Sequence, residues 1–116
     1  MTEPRIHVVH GSATPEQREE MSAALGYIKL AVDVRRGVIA GGGIMHADCE
    51  AALLEDGSVQ DDVWGADWIP LEEIVEFESL INIRPDRGNR SLRIEDPEIR
   101  QRVESVVRER LIGGKR

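Results

Sequence analysis

The sequence predicts an α+β fold in which a small antiparallel sheet is covered by two helices, built as a single domain over residues 1–116. Two segments carry complete helix start signals, each with a capping residue followed by a proline. Between them lie short segments in which apolar and polar residues alternate, separated by glycine-containing turns. A period of two is typical of strands with one buried face, so we expect the helices on that face and an open polar face opposite.

The N-terminal part predicts a strand followed by a helix. Residues 5–10 are short, apolar and β-branched, as in a strand. Thr14 then suits the N-cap, Pro15 suits the first helical position, and Gln17 can close a capping box with Thr14. Gly26 can end this helix in the left-handed conformation. We therefore expect a helix between Thr14 and Gly26 that packs on the sheet.

The next segment predicts a β-hairpin. Residues 27–34 alternate strictly, with apolar side chains at the even positions, which is the clearest strand pattern of the chain. A three-residue loop at 35–37, with glycine at its positive-φ position, would return the chain through residues 38–40. Three glycines at 41–43 must then bend or bulge, since they cannot sustain a packed strand.

Residues 44–56 are ambiguous in secondary structure. Their Ala, Glu and Leu residues favour a helix, whereas the flanking glycines and the meander context favour a strand. We expect a strand here. A turn at 56–58 and a segment with both tryptophans, residues 59–70, follow.

Residues 74–84 alternate again and predict the last strand of the sheet. In this interpretation one set of side chains faces the core and the other set forms a polar row. The core set is Phe77, Ile81 and Ile83, and the polar row includes Glu76 and Asn82.

The C-terminal part predicts a second helix. Asp96 suits the N-cap, Pro97 suits the first position, and acidic neighbours favour the positive helix end. One apolar stripe would face the sheet. It consists of Ile99, Val103, Val106, Val107 and Leu111. Glycines at 113–114 are expected to end the helix.

Charge is distributed very unevenly along the chain. Residues 37–83 contain eleven carboxylates and no lysine or arginine, whereas residues from 84 onward carry ten basic and six acidic groups. The whole chain has a net charge of -7, which argues against a nucleic-acid partner because phosphate binding rewards clustered basic residues. The acidic middle is therefore the expected location of any site.

The compartment is predicted from what the sequence contains. No apolar run approaches the roughly 20 residues that span a bilayer, so no membrane partner is expected. The first residues show no signal-peptide pattern, and the single cysteine, Cys49, excludes an internal disulfide. We expect a protein of the reducing cytoplasm in which Cys49 packs as a small apolar group.

His46, Asp48 and Glu50 are the strongest candidates for catalytic residues. In a strand, residues two apart share a face, and in a helix His46 and Glu50 still share one because they are four apart. Imidazole with carboxylate can act as a base oriented by an acid, or His46 and Glu50 can bind a divalent metal ion. The alternative is a solvated polar row on the open face of an antiparallel sheet.

An arginine-rich loop follows the acidic middle. Arg84, Arg87, Arg90 and Arg93 recur at every third residue among turn-forming residues that include Asn89. Such a loop can bind a phosphate or carboxylate through guanidinium groups and turn N–H groups. The alternative is that these arginines pair with carboxylates of the acidic middle and only tie the loop to the sheet.

Four sequence blocks resemble a family of short prokaryotic proteins, a domain of unknown function. The blocks are GGxxHADxE at 42–50, GSxQxxxWG at 57–65, INIRPxxGNRS at 81–91 and EDPEIR at 95–100. The resemblance covers roughly residues 27–111 and carries no assigned activity. It implies that one set of residues belongs to the pattern of the family. These are His46, Asp48, Glu50, Gln60, Trp64, Asn82, Arg84, Asn89 and Arg90.

These observations predict a small-molecule or anion-binding module, with catalysis left open. Its site would combine the His46, Asp48 and Glu50 cluster with the arginine-rich loop, and opposite charges in one cleft would suit a zwitterionic or metal-bridged phosphate ligand. The ligand-binding residues would be Arg84, Asn89, Arg90, Gln60 and Asn82. The alternative function is a non-catalytic homo-oligomeric or partner-binding protein in which the same charges form an interface.

Overall fold

A computed structural model describes residues 6–112 of the chain. Within that range, five strands form one antiparallel sheet in the order β1-β3-β2-β4-β5, and three helices longer than one turn pack on it. The strands are β1 (His7–Val9), β2 (Ile28–Asp33), β3 (Val38–Gly41), β4 (Val63–Ile69) and β5 (Ile74–Glu76). The helices are α1 (Pro15–Ser22), α2 (His46–Glu55) and α3 (Pro97–Leu111). The predicted α+β class with an antiparallel sheet is confirmed, and the helix α2 adds to the two that were expected.

Both predicted helix starts are confirmed, because they depend on local chemistry. The Thr14 hydroxyl accepts a hydrogen bond from the Gln17 N–H, and the Gln17 side chain accepts one from the Thr14 N–H, both at 3.0 Å. Asp96 caps α3 in a similar way. Helix α1 ends at Ser22, earlier than expected, and the turn after it closes at Gly26 with φ +80°. The glycines at 113–114 lie outside the described residues.

The larger core lies between one face of the sheet and helices α1 and α3. It is built from the alternate, apolar positions of the strands and from the predicted stripe of α3. The strands contribute Val9, Ile28, Leu30, Val32, Ile39, Trp64, Ala66, Trp68 and Val75, and the helices contribute Met21, Val103, Val106, Val107 and Leu111. None of the helices within residues 6–112 is both long and apolar enough to cross a membrane.

The strand expected over residues 44–56 is wrong, because these residues form helix α2. Cys49 and Leu53, one turn apart, bury their side chains on Ala31, Ala40 and neighbouring apolar residues of the sheet. Helix propensity and this burial act together and outweigh the flanking glycines that favoured a strand. The open polar face is therefore also wrong, since α2 covers it. Two of the three predicted catalytic residues, His46 and Glu50, are therefore largely buried, whereas Asp48 is exposed.

The strand expected over residues 74–84 is correct only at its beginning. Strand β5 ends at Glu76, and a single 3-10 turn forms at Leu80–Asn82. Ser79 starts this turn, and its hydroxyl accepts a hydrogen bond from the Ile81 N–H at 3.2 Å. Phe77 packs against the core and Glu76 is exposed, as expected. The turn reverses the expected pattern farther along, because Asn82 is fully buried while Ile83 is 42% exposed.

The hairpin between β2 and β3 is confirmed, with a loop one residue longer than expected. Residues 34–37 form it, and Gly37 has φ +71°. The buried Asp33 carboxylate fixes the loop by accepting hydrogen bonds from the N–H groups of Arg35 and Arg36, both at 2.9 Å, and from the Ser58 hydroxyl at 2.6 Å. Asp33 is therefore part of the scaffold.

Candidate functional site

Helix α2 determines which of the predicted catalytic residues come together. His46 is its first residue, Glu50 follows one turn later, and both side chains are largely buried. Asp48 is exposed on another side of the same helix. The structure therefore brings His46 and Glu50 to one face and leaves Asp48 away from them, as expected for residues two apart in a helix.

His46 is held by two oxygen acceptors from strand β4. Its Nε2 atom lies 2.8 Å from Oδ1 of Asp67 and 3.1 Å from the carbonyl oxygen of Ala66. A carbonyl oxygen can only accept, so Nε2 must carry a proton. Nδ1 makes no hydrogen bond within residues 6–112, where every buried side-chain nitrogen and oxygen has a partner. Nδ1 is therefore not fully buried, although the His46 side chain as a whole is only 10% exposed.

A cleft of about 360 Å³ opens beside the His46 ring. Its rim is apolar, formed by Ile44, Met45, Leu80 and Leu92, which are between 44% and 74% exposed. Its charged groups, besides His46, are Lys29, Asp67 and Glu78. We call this the His46 cleft.

Glu50 is engaged by Arg84 in a largely buried ion pair. The two side chains are 12% and 10% exposed, and a guanidinium nitrogen of Arg84 lies 3.2 Å from Oε2 of Glu50. The other guanidinium nitrogens donate to the carbonyl oxygens of Ile81 at 3.1 Å and Gln60 at 3.0 Å. Burial lowers the pKa of Arg84, and the Glu50 carboxylate opposes that shift. The Arg84 guanidinium also stacks over the Trp64 ring, 5.0 Å from its centre.

A second, smaller cleft of about 290 Å³ lies beside this ion pair. Glu50, Gln60 and Arg84 line it, together with the acidic Asp61 and Asp86. It adjoins the His46 cleft, because Leu80 and Ile81 line both. The structure thus groups three of the predicted site residues, Glu50, Gln60 and Arg84, and we call their location the Arg84 cleft.

The side-chain amide of Asn82 makes the two hydrogen bonds to Gly65 that a neighbouring strand would otherwise make. Its Oδ1 accepts from the Gly65 N–H at 2.8 Å, and its Nδ2 donates to the Gly65 carbonyl at 3.0 Å. Strand β5 does not extend this far, so the amide completes the edge of β4. Gly65 has no room for a side chain there, since an added Cβ would lie 2.5 Å from Cβ of Ser79. Asn82 therefore fixes the loop to the sheet.

Asn89 fixes the rest of the same loop. Its side chain is buried, donates to the carbonyls of Asn82, Ser91 and Arg93, and accepts from the Glu95 N–H at 2.8 Å. All the hydrogen-bonding capacity of the Nδ2 group is thus used inside the protein. Asn82 and Asn89 of the INIRPxxGNRS block thus hold this loop together through their side-chain amides.

The arginines of the loop do not converge on one space. Arg87 pairs with Asp61 at 3.4 Å, Arg93 stacks over the Phe77 ring, and Arg84 pairs with Glu50. Within residues 6–112, the hydrogen bond that the structure gives Arg90 is through its backbone N–H, to Glu95 at 3.0 Å. Arg84 thus meets the description of a tie to the acidic middle, while Arg90 is exposed and its ligand role stays a prediction.

A metal at His46 and Glu50 also stays a prediction. In the part of the chain that the structure describes, no three or more His, Cys, Asp or Glu side chains form a group that could hold a metal ion. A divalent ion bound by His46 and Glu50 would raise the stability by about 2.7 kcal/mol at a hundredfold excess over Kd. Melting temperatures with added Zn²⁺, Mn²⁺, Mg²⁺ and Ca²⁺, in the parent and in His46→Ala, test this directly.

Asp67 is the residue of the candidate site that the sequence interpretation missed. It lies 21 positions after His46, and the two meet only because α2 packs across β4. A weak signal was present in the strand pattern. Asp67 lies on the same face of β4 as Val63 and Gly65, and both of these residues are buried. A carboxylate in such a row needs a partner.

The fold and the two clefts define a small α+β domain in which helix α2 covers one face of an antiparallel sheet and pairs its His46 with Asp67 of β4. The chain belongs to the family described as "Protein of unknown function (DUF5674)", whose model matches residues 7–110. The match includes the first strand and helix, which lie before the resembling blocks. No curated protein matches the chain, and no solved structure matches it. The function therefore has to be argued from the site.

Proposed function

We propose that this protein is a small-molecule-binding module and that the His46 cleft is its binding site. The observation that carries the proposal is the geometry of His46. Two acceptors on β4 hold Nε2, so the ring that lines the cleft is fixed in orientation, and Nδ1 has no protein partner within residues 6–112. A fixed polar atom beside an apolar rim is typical of sites that orient small ligands.

The size and lining of the His46 cleft support this proposal. Its volume of about 360 Å³ falls within the range of roughly 300–1,000 Å³ that is common for ligand pockets. The apolar rim can bury the body of a ligand, and the few charged groups can fix its orientation. The Arg84 cleft is smaller and mostly polar, and Arg84 would have to leave Glu50 to bind an anion there. We therefore expect free phosphate or carboxylate to bind weakly at Arg84.

Binding can be tested by NMR titration of the parent protein with small aromatic alcohols, amines and carboxylic acids. We expect backbone amide shifts to cluster around His46, Asp67 and Leu80. Leu80→Ser should weaken binding, because it removes a 74%-exposed apolar side chain from the rim. Leu71→Ser is the matched control, since Leu71 is 98% exposed and does not line the cleft. Absence of shifts, or shifts confined to other surfaces, would refute the proposal.

A second candidate function is assembly of this chain with itself, and the exposed rim favours it. Ile44, Met45, Leu80 and Leu92 place four large apolar side chains around one opening. Such surfaces also occur at interfaces between protein copies. Light scattering across a concentration series tests this, with Leu80→Ser expected to dissociate an oligomer and Leu71→Ser expected to leave it intact. A monomer at all concentrations would remove this candidate.

We also propose that the protein resides in the cytoplasm, which is a reducing compartment. Cys49 is the single cysteine of the sequence, and it is free and buried. Burial raises the pKa of its thiol to about 11, so the protonated form dominates near neutral pH. Fractionation of cells that carry a tagged copy would test the location.

A further inference from the structure

We infer that the His46 cleft and the Arg84 cleft together form one docking surface for a basic amphipathic helix of a partner protein. Such a partner goes beyond the small-molecule ligand proposed above, because the surface that it covers is larger than the His46 cleft. Three features of the surface support it, namely its exposed apolar side chains, its continuity and its charge.

Exposed apolar side chains are concentrated at these two clefts. Within residues 6–112 ten large apolar side chains are exposed, and five of them line the His46 cleft or the Arg84 cleft. None of the ten lines either of two larger clefts, one of about 580 Å³ beside α3 and one of about 400 Å³ between α1 and the end of α3. Apolar side chains gathered in one exposed place mark a surface that a partner covers. The five are Ile44, Met45, Leu80, Ile83 and Leu92.

The two clefts are continuous across a short ridge. Leu80 and Ile81 line both clefts, and Leu80 is 74% exposed. The next residue, Asn82, is fully buried and hydrogen-bonded to Gly65, so the ridge is fixed to β4. A helix laid along this surface can therefore place apolar side chains on both sides of Leu80, as amphipathic helices do when they occupy a groove.

The lining of this surface is acidic. Five carboxylates line the two clefts, against one lysine, one arginine and one histidine. The lining therefore carries a net negative charge in either protonation state of His46. The five carboxylates belong to Glu50, Asp61, Asp67, Glu78 and Asp86.

Glu78 and Asp86 are the carboxylates of this lining that remain for a partner. Each of the other three lies within 3.4 Å of a basic side chain of the protein. Glu78 and Asp86 are exposed, and neither forms an ion pair within residues 6–112. Arg93 lies opposite Glu78 in the backbone pairing but stacks over the Phe77 ring. Glu78 lines the His46 cleft and Asp86 lines the Arg84 cleft, so lysine or arginine side chains beside an apolar helix face can pair at both.

The charge favours a basic partner over a second copy of this chain. In a two-fold contact the same lining would face itself, so carboxylates would meet carboxylates and binding would weaken. The whole chain has a net charge of -7, and the resulting repulsion between copies acts in the same direction. A helix with apolar residues on one face and lysine or arginine beside them meets both the apolar and the acidic features of the surface.

The test uses as its probe a synthetic leucine–lysine peptide of about 18 residues, or about five helical turns, with leucine at helical spacing. One control peptide carries glutamate in place of lysine, and another has the same composition with leucine and lysine in strict alternation. Fluorescence anisotropy gives each Kd, and amide NMR shifts locate the bound peptide. We expect shifts around Met45, Leu80 and Ile83, and binding of both control peptides at least about tenfold weaker.

Variants of the protein test the two contributions separately. Leu80→Ser should weaken binding of the lysine peptide by about tenfold or more, because burial of a leucine side chain favours binding. Glu78→Gln and Asp86→Asn should each weaken it by up to about fivefold at low salt and reduce its salt dependence. Leu71→Ser and Glu72→Gln are the matched controls, since both residues are exposed and line neither cleft, and they should bind as the parent does. Circular dichroism establishes that each variant is folded before it is compared.

Several outcomes would overturn the inference. They are no binding of the lysine peptide, equal affinity for the three peptides, NMR shifts outside the two clefts, and equal weakening by Leu80→Ser and Leu71→Ser. An oligomer that Leu80→Ser dissociates would also overturn it, because a second copy would then cover the surface. The small-molecule titration of the parent protein contains no peptide, so the proposed function stands or fails independently of these results.

Discussion

His46 and Glu50 lie one turn apart on the same face of α2, and each forms a polar pair with a residue outside the helix. The two pairs, His46–Asp67 and Glu50–Arg84, differ in how completely their hydrogen-bonding groups are used. In the Glu50–Arg84 pair, every guanidinium nitrogen has a partner, namely Glu50 and two carbonyl oxygens. In the His46–Asp67 pair, one ring nitrogen is held and the other is open. The side chains of both pairs are exposed to a similar extent, between 10% and 14%.

This difference teaches that burial does not separate a structural pair from a reactive one. The use of their nitrogens does: each guanidinium nitrogen of Arg84 has an internal partner, through three of its five N–H groups, whereas Nδ1 of His46 has no protein partner within residues 6–112. By that criterion Glu50–Arg84 fastens the loop to α2, and His46–Asp67 is the pair that we propose for ligand contact. Each of the following changes tests one side of this contrast.

The largest expected effect is that of Arg84→Ala. Removing Arg84 leaves the Glu50 carboxylate buried without its counter-ion, which should lower the free energy of unfolding by about 3–5 kcal/mol. Urea denaturation measures this. Arg87→Ala is the control, because the Arg87–Asp61 pair is mostly solvated and should contribute at most about 1 kcal/mol. Equal losses in the two variants would show that the Glu50–Arg84 pair is not the structural tie inferred here.

An effect of similar size is expected for Asn82→Ala. It leaves the N–H and C=O groups of Gly65 without their partners, at about 1–3 kcal/mol for each group that stays unsatisfied. The Ile81 carbonyl that accepts from Arg84 lies in the same turn, so the ion pair should loosen as well. Hydrogen exchange at the Gly65 amide measures the local change. Unchanged protection would mean that the amide bonds of Asn82 do not hold this edge.

A smaller effect is expected for His46→Gln. Glutamine can still donate an amide N–H toward Asp67, so the loss of stability should stay below about 1.5 kcal/mol, the net contribution of one hydrogen bond. Urea denaturation beside Arg84→Ala gives the comparison directly. If His46→Gln destabilises the protein as much as Arg84→Ala does, His46 is structural and the contrast between the pairs disappears.

The smallest signal is expected from labelling of Cys49, which lies on α2 between His46 and Glu50. Its thiol is buried, donates to the Lys29 carbonyl, and has a pKa raised to about 11. A thiol reagent at neutral pH should therefore react far more slowly with the native protein than with the protein in urea. Arg84→Ala should accelerate labelling more than His46→Gln. The reverse order would mean that the His46–Asp67 pair, and not the Glu50–Arg84 pair, holds α2 against the sheet.

The parts of the fold that depend on neighbouring residues could be predicted from the sequence. The starts of α1 and α3 follow from Thr14 and Asp96 with the prolines after them, and these signals need no tertiary information. The strand that contains β2 follows from strict alternation. Helix α2 could not be assigned with the same security, because its residues suit a helix while the glycines before it suit a strand. Packing of Cys49 and Leu53 on the sheet decides between them.

The candidate site was also predictable only where it depends on residues that are close in the sequence. His46 and Glu50 share a face in either secondary structure, so their pairing on one side survived the wrong strand assignment. Asp67 could not be found, because its contact with His46 depends on where α2 crosses β4. The alternation of residues 74–84 predicted a strand in which Asn82 would face a ligand. That pattern gave no sign of the 3-10 turn that directs Asn82 to Gly65.

The amide of Asn82 has a consequence for the behaviour of many copies of the protein together. Beyond the end of β5, the backbone of β4 would present an unpaired N–H and C=O at Gly65, which is the kind of exposed edge that recruits strands from other molecules. A single side chain occupies both groups. We therefore expect Asn82 to protect this edge from intermolecular strand addition, so that its loss should make concentrated solutions aggregate.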